Sequence, residues 1–274
     1  MAPVSAVASR LVDVRSVDAA LVDLDGTVYA NGRLVPGAGY ALGFLRQAGI
    51  ALRFLTNRDS LPPGVIRADL AAMGLEVAPW ELFTPVLAAQ RYLEEQRDVR
   101  ALLMVSSTVR TAFERFTGKG PVTHVVVGDC RDTLDYALLD HAFRAVRGGA
   151  ELVALQRGRY FVRSNGEHLG TGGIVAALEY SANTTAKVVG KPSKDFLALA
   201  AASTGTDVSR CVVIGDDATT DVAGGAALGA RTVQVRTGRY RDQQDEPGLP
   251  CAEAVIDSIA DLPALLLDWD AAQS

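Results

Sequence analysis

The sequence predicts an α/β protein built around a parallel sheet, and three observations carry that prediction. Short apolar runs at 19–22, 50–55, 186–190 and 211–214 suit strands covered on both faces by helices. Segments with helical spacing alternate with them in a βαβα rhythm. Each run also ends in polar residues, at the carboxyl-terminal strand tips where sheets of this kind hold ligands.

The first run ends in Asp23-Leu24-Asp25-Gly26-Thr27. Two residues apart in extended backbone, Asp23 and Asp25 leave on the same side, so the pair can share one small substrate. Gly26 lets the chain turn where a side chain would obstruct a ligand. Asn31-Gly32 signals a tight hairpin over that tip, a flap able to close on a substrate. A helix at 37–48 stops at Gly49, and the strand at 50–55 ends in Thr56-Asn57-Arg58-Asp59-Ser60. Pro62-Pro63 opens a helix reaching Met73, and Thr84-Pro85 caps another running towards Gln96.

A second series follows, with strands at 101–105, 125–127 and 152–155 and helices near 108–116 and 134–146. Residues 160–162 and Gly166 suggest a hairpin. Gly170-Thr171-Gly172-Gly173 precedes a helix at 174–180; it lacks the GxGxxG order and reads as a hinge or substrate-facing loop. Lys191-Pro192-Ser193 follows the next strand, with Ser193 available as a helix cap. The strand at 211–214 ends in Gly215-Asp216-Asp217 and continues through Asp221 into a helix stopping near Gly229. A strand at 232–235, a polar loop at 238–250, a strand at 255–256 and a helix at 262–267 complete the chain, with Arg239 and Arg241 assigned to solvent in that loop.

The 274 residues accommodate one large domain or two ordinary ones, and 49% hydrophobic content supports a sizeable core. A net charge of −5 and no dense Lys/Arg run argue against nucleic acid as a partner. Cys130, Cys211 and Cys251 lack metal-ligand spacing and read as reduced cysteines of a cytoplasmic protein. Residues 1–16 carry neither a signal-peptide pattern nor a membrane anchor and read as a frayed tail. His124, His141 and His168 have no metal spacing and read as structural or solvent-facing. Trp80 and Trp269 read as packing residues.

Four strand tips thus carry Asp23/Asp25, Thr56/Asn57, Lys191 and Asp216/Asp217, and a parallel sheet lines them along one edge. The set suits phosphoryl transfer: a carboxylate nucleophile, donors for phosphoryl oxygens, a cation, and further carboxylates for a metal. Clustered acids repel unless a hard cation neutralises them, and all-oxygen ligation favours Mg²⁺ over zinc.

In order and context, Asp23-Leu24-Asp25-Gly26-Thr27, Thr56-Asn57, Lys191-Pro192 and Gly215-Asp216-Asp217 with Asp221 resemble the four motifs of haloacid dehalogenase superfamily phosphatases. Thr56 and Lys191 are 135 positions apart, against 33 for Asp23 and Thr56. The long interval resembles the α/β C2 cap of the type IIA (NagD-like) branch. Arg159-Tyr160, residues 176–180 and 187–193, and Gln234-Val235-Arg236-Thr237-Gly238 look like the phospholysine phosphohistidine inorganic pyrophosphate phosphatase subgroup.

The resemblance implies a Rossmann-like core at 1–84 and 183–274 with a C2-type cap at 85–182. It implies Asp23 as nucleophile, and Asp25 as acid and then base. Thr56 and Asn57 would hold phosphoryl oxygens, and Lys191 would neutralise the substrate. Mg²⁺ would sit on Asp23, the Asp25 carbonyl and Asp216, with Asp217 and Asp221 supporting from just outside. The substrate would be a small phosphomonoester, pyrophosphate or phosphoamidate, the protein a homodimer, and no membrane a partner. Arg58-Asp59 depart from the small polar residues that relatives often carry there, and Asp217 is also unusual; we expect it to cap the following helix.

Two other classes use similar parts. A receiver-type phosphoacceptor module also gathers aspartates, a threonine and a lysine around Mg²⁺, but its acidic pair precedes a separate phosphorylated aspartate and its domain is about half this length. A non-catalytic binding protein on this scaffold requires a missing motif residue, and none is missing.

Overall fold

The computed structural model of the chain describes residues 14–163, 166–244 and 246–272. In chain order the regular elements begin with strand β1 (Ala19–Asp23), the hairpin β2 (Tyr29–Ala30) and β3 (Arg33–Leu34), and helix α1 (Ala38–Gln47). Then come β4 (Ala51–Leu55), α2 (Pro63–Ala72), β5 (Leu82–Phe83) and α3 (Pro85–Glu94). Next are β6 (Ala101–Met104), α4 (Ser107–Arg110), β7 (His124–Val127), α5 (Tyr136–Arg147) and β8 (Glu151–Ala154). The hairpin β9 (Tyr160–Arg163) and β10 (Gly166–Leu169) leads to α6 (Thr171–Ala182), β11 (Lys187–Val188) and α7 (Lys194–Ala202). The chain closes with β12 (Cys211–Gly215), α8 (Ala223–Leu228), β13 (Arg231–Val235), α9 (Tyr240–Gln243), β14 (Ala254–Ile256) and α10 (Leu262–Ala271).

Two parallel sheets organise these elements. The first has six strands in the order β14-β13-β12-β1-β4-β5, with β1 at its centre, paired to β12 from Ala19 with Cys211 and to β4 from Ala19 with Ala51. Every residue of β1 and β12 is buried, as strands covered on both faces require. The second sheet has four strands in the order β11-β8-β7-β6. β11 therefore pairs with Val153 and Ala154 of the second sheet, although its sequence position lies past the 182/183 boundary. One apolar layer holds Ala19, Leu21 and Leu55 of the first sheet together with Leu103, Val126 and Val153 of the second, with Val86 and Phe196 from the helices between them. Burial in this shared layer is the main force fixing one sheet against the other.

Local signals are realised closely. Asn31 and Gly32 both adopt positive φ (51° and 72°), the backbone that a two-residue hairpin turn demands. Thr84 Oγ1 accepts the Leu87 amide at 3.2 Å at the start of α3.

Four expectations need correction. The glycines at 172 and 173 lie inside the first turn of α6, and a Cβ on Gly172 would meet the Arg157 carbonyl oxygen at 2.5 Å. They serve close packing against a neighbouring backbone, so the two glycines form the start of a helix rather than a loop before it. Ser193 stands at the start of α7 without a side-chain cap bond. Trp80 is 71% exposed, whereas Trp269 packs under the Arg231 guanidinium, 3.2 Å from its ring centroid. Of the expected tail, residues 1–13 lie outside the described residues, but Val14 and Ser16 are buried and the Ser16 amide donates to Asp270 at 2.6 Å. Among the described residues no helix is long and apolar enough to cross a membrane.

Candidate active site

The strand order places the tip of β1 between those of β4 and β12, which gathers residues far apart in sequence. Asp23 closes β1 and is 4% exposed. Lys191, in the loop before α7, is 3% exposed; Asp216 and Asp221, just past β12, are 4% and 1% exposed. The Lys191 ammonium donates to Asp23 Oδ1 and, at 2.7 Å, to Asp221 Oδ1. One carboxylate oxygen from each of Asp23, Asp216 and Asp221 lies within 4.8 Å of the other two. Three buried carboxylates therefore face one buried ammonium, leaving about two negative charges without a protein counterion.

The electrostatics show the imbalance. Burial pushes the Asp23 carboxyl well above the usual carboxylate range, with Lys191 opposing and Asp221 and Asp216 adding to the rise. Burial, with Asp221 beside it, lifts Asp216 to about 7. Burial alone would lower Lys191, but Asp221 and Asp23 hold its ammonium well above the ordinary lysine value. Asp23 Oδ2 is buried with no hydrogen-bond partner among the described residues. A buried acceptor left unmade is costly, so this orphaned oxygen beside surplus negative charge fits a bound hard cation. The backbone makes room for Asp216: a Cβ on Gly26 would lie 2.2 Å from Asp216 Oδ2, and one on Gly238 1.9 Å from it.

Asp25 stands apart from this cluster. It is exposed, and Thr56 Oγ1 donates to its Oδ2 at 3.4 Å while accepting the Arg58 amide at 3.0 Å. Asn57 uses both ends of its side chain on the backbone of Lys191: Oδ1 accepts the Lys191 amide at 3.0 Å and Nδ2 donates to its carbonyl at 3.1 Å. The tip of β4 thereby fixes the loop that carries the ammonium. Asp217 Oδ1 accepts the Thr219 amide at 2.8 Å, the helix cap expected of it, on a π-helical turn at Ala218–Val222. Burial would raise Asp217, yet Gln243, Thr219 and Arg239 together hold it below the usual carboxylate value. Asp221, expected to support the metal ligands, lies beside two of them, Asp23 and Asp216.

Several residues at this edge escaped sequence reasoning. Arg239 is not in a solvated loop. Its amide donates to Asp216 Oδ2 at 2.7 Å, its guanidinium pairs with Asp217 at 3.3 Å and donates to the Tyr160 carbonyl at 2.7 Å, and it lies 5.2 Å from the Tyr160 ring centroid. Tyr160 thus meets a first-sheet loop, while Arg159 is exposed. Asp59 is 5% exposed and reaches the second sheet, where its Oδ2 accepts from Thr171 Oγ1 at 2.6 Å and from the Asp129 amide at 3.0 Å. Burial lifts its carboxyl to about 6 despite the Thr171 bond. The hydroxyl of buried Tyr29 accepts from Arg58 Nη1 at 3.4 Å, and burial and then the nearby Asp25 charge raise the phenol above its ordinary value. Only the departure of Arg58-Asp59 from a small polar pair marked this region in sequence.

Comparison with known proteins supplies independent context. A haloacid dehalogenase-like hydrolase model matches residues 20–117, and a HAD-hydrolase-like model matches residues 188–262. The chain is 38% identical over 232 residues to human haloacid dehalogenase-like hydrolase domain-containing protein 2, covering 85% of this chain and 89% of that protein. It is 31% identical over 264 residues to human phospholysine phosphohistidine inorganic pyrophosphate phosphatase, covering 94% and 96%. Among solved structures, a p-nitrophenyl phosphatase from Archaeoglobus fulgidus superposes with a TM-score of 0.83 at 25% identity over 91% of this chain and 99% of that one. NagD from E. coli shares the fold with a TM-score of 0.79 at 22% identity, over 90% and 98%.

Proposed function

Because the chain belongs to the haloacid dehalogenase-like hydrolases, we propose that it is a Mg²⁺-dependent phosphatase acting on a small phosphorylated compound through an aspartyl-phosphate intermediate. The substrate is a phosphomonoester, pyrophosphate or a phosphoamidate. The observation that carries this reading is the buried triad of Asp23, Asp216 and Asp221 around Lys191, with Asp23 Oδ2 left unpartnered. Phosphatase names among the relatives and structural neighbours support the reaction class.

On this reading Asp23 attacks phosphorus and Asp25 gives its proton to the leaving oxygen, then takes a proton from the attacking water. Lys191 holds Asp23 in place and offsets charge on the transferring group, while Thr56 and the Asn57 backbone supply hydrogen bonds to phosphoryl oxygens. Asp23, Asp216 and the Asp25 carbonyl would hold Mg²⁺, with Asp221 beside them partly neutralised by Lys191 and Asp217 anchoring the turn. When bound, the ion supplies charge neutralisation and polarises phosphoryl oxygens. The second sheet and the Tyr160 hairpin form the cap that selects the leaving group.

Incubating the protein with p-nitrophenyl phosphate and Mg²⁺, with and without EDTA, tests the proposal. Release that EDTA abolishes is expected; no metal-dependent release would sink it. A screen of phosphomonoesters, pyrophosphate and phosphoamidates with Asp23→Asn as control then identifies the substrate.

A further inference from the structure

Lys191 holds Asp23 and Asp221, whereas Asp216 is held by the loop between β13 and α9. That loop is tied down before it reaches the carboxylate. Thr237 Oγ1 donates to the Gly26 carbonyl at 2.5 Å, and Gly238 then turns through a φ of 56°, its missing Cβ leaving space for Asp216 Oδ2. The Arg239 amide donates to that oxygen at 2.7 Å, a charge-assisted bond that fixes the rotation of the carboxylate. The Arg239 side chain leaves this amide for two other partners. Its Nη1 pairs with Asp217 Oδ2 at 3.3 Å, and its Nη2 donates to the Tyr160 carbonyl at 2.7 Å, with the guanidinium carbon 5.2 Å from the Tyr160 ring centroid. Asp217 is itself a firm anchor, 6% exposed and accepting from Gln243 Nε2 and the Thr219 amide, each at 2.8 Å. One residue therefore meets a triad acid through its backbone and the β9–β10 hairpin through its side chain. A planar fork can reach Asp217 and Tyr160 together, whereas a lysine ammonium is a single point of charge.

We propose that Arg239 is a positioning residue for the metal site: its grip on Asp217 and the Tyr160 carbonyl keeps its own amide on Asp216, so that docking of the β9–β10 hairpin sets the affinity for Mg²⁺. This role rests on the Mg²⁺-dependent phosphatase reading and adds to it the residue that joins the hairpin to a metal ligand. Position and charge act here with opposite signs. A cation beside three acids repels Mg²⁺, so by charge alone the loss of the guanidinium would tighten the ion. Loss of positioning weakens it, because a carboxylate free to rotate must be ordered as the ion binds. Linkage adds a second consequence: if the docked hairpin favours Mg²⁺, then Mg²⁺ favours the docked hairpin by the same factor.

Calorimetric titration of the full-length protein with Mg²⁺, without substrate, tests this directly. Arg239→Met keeps the stem and removes the fork, and should weaken Mg²⁺ binding about fivefold, the low end of coupling between two sites. Arg239→Lys keeps the charge but not the fork, and should weaken it nearly as much. At saturating Mg²⁺, kcat on p-nitrophenyl phosphate should stay within about twofold in both variants, since neither touches the reacting atoms. Amide hydrogen exchange reads the other end of the link: Mg²⁺ should slow exchange in β9 of the unaltered protein by about the same fivefold and have no such effect in Arg239→Met. Unchanged or tighter Mg²⁺ binding in Arg239→Met, normal binding in Arg239→Lys, or an exchange response that survives Arg239→Met overturns the proposed role and leaves the phosphatase reading standing. An unaltered protein that binds no Mg²⁺ overturns the metal-dependent reading, and the role of Arg239 with it.

Discussion

The strand tips and the seam between the two sheets use the same kinds of side chain to different ends. At the tips, Asp23, Asp216 and Asp221 crowd one buried ammonium and leave an acceptor unpartnered, an arrangement that stores electrostatic imbalance. At the seam, Asp59 and Arg239 meet good partners from both sheets: Thr171 and the Asp129 amide for one, Asp217 and the Tyr160 carbonyl for the other. Imbalance marks where a ligand is expected, and satisfaction marks where the fold is held together. If that contrast is right, tip substitutions should change rate far more than stability, and seam substitutions the reverse.

The largest effect belongs to Asp23. Asp23→Asn keeps the side chain's shape while removing the nucleophile, and kcat on p-nitrophenyl phosphate should fall by about 10⁴ or more. Retention of normal turnover would place the chemistry elsewhere. Next comes Lys191→Met, for which steady-state kinetics should show kcat lower by about 10²–10³, the loss typical of one preorganised charge stabiliser. A drop below tenfold would mean that its pairs with Asp23 and Asp221 are structural only.

At the seam the readout moves to stability. Burial lifts the Asp59 carboxyl to about 6 in the folded protein, above the ordinary carboxylate range. The folded state therefore holds this proton more tightly than the unfolded chain does. The contribution is fully present below about pH 4 and lost as pH rises through about 6, where ionised Asp59 costs about 3 kcal/mol. Asp59→Asn, which does not titrate, should lack that fall when urea unfolding is measured across pH 4 to 7. Parallel pH profiles for both proteins would remove Asp59 from the account. The smallest effect is expected of Arg239→Ala: its guanidinium is partly exposed and its charge partly screened, so unfolding free energy should drop by about 1 kcal/mol or less. A larger loss would make Arg239 a main fastener of the two sheets.

The contrast also explains what could be read from sequence. The strand tips were legible because each combines an apolar run with an abrupt polar end, a local signal: β1 into Asp23, β4 into Thr56-Asn57 and β12 into Asp216-Asp217. Hairpin and cap chemistry at Asn31-Gly32, Thr84 and Asp217 was legible for the same reason. The seam was not, because its partners are remote: Asp59 and Thr171 are 112 positions apart, and Arg239 and Tyr160 are 79 apart. An arginine in a polar loop carries no sign of whether tertiary packing will cover it. Nor did the run that forms β11 show which sheet it would join, since edge pairing is settled by the approach of Val153 and Ala154. That Asp221 would come beside Asp23 was not legible either, because the π-helical turn that brings its carboxylate there has no local signal in sequence.

Covalent phosphorylation of Asp23 is the central claim, and it is directly visible. Acid quenching during turnover of p-nitrophenyl phosphate with Mg²⁺, followed by mass analysis of the peptides, should show a phosphoryl adduct on the peptide bearing Asp23, absent with EDTA and in Asp23→Asn. Steady turnover with no adduct there, or an adduct on another residue, would contradict the account.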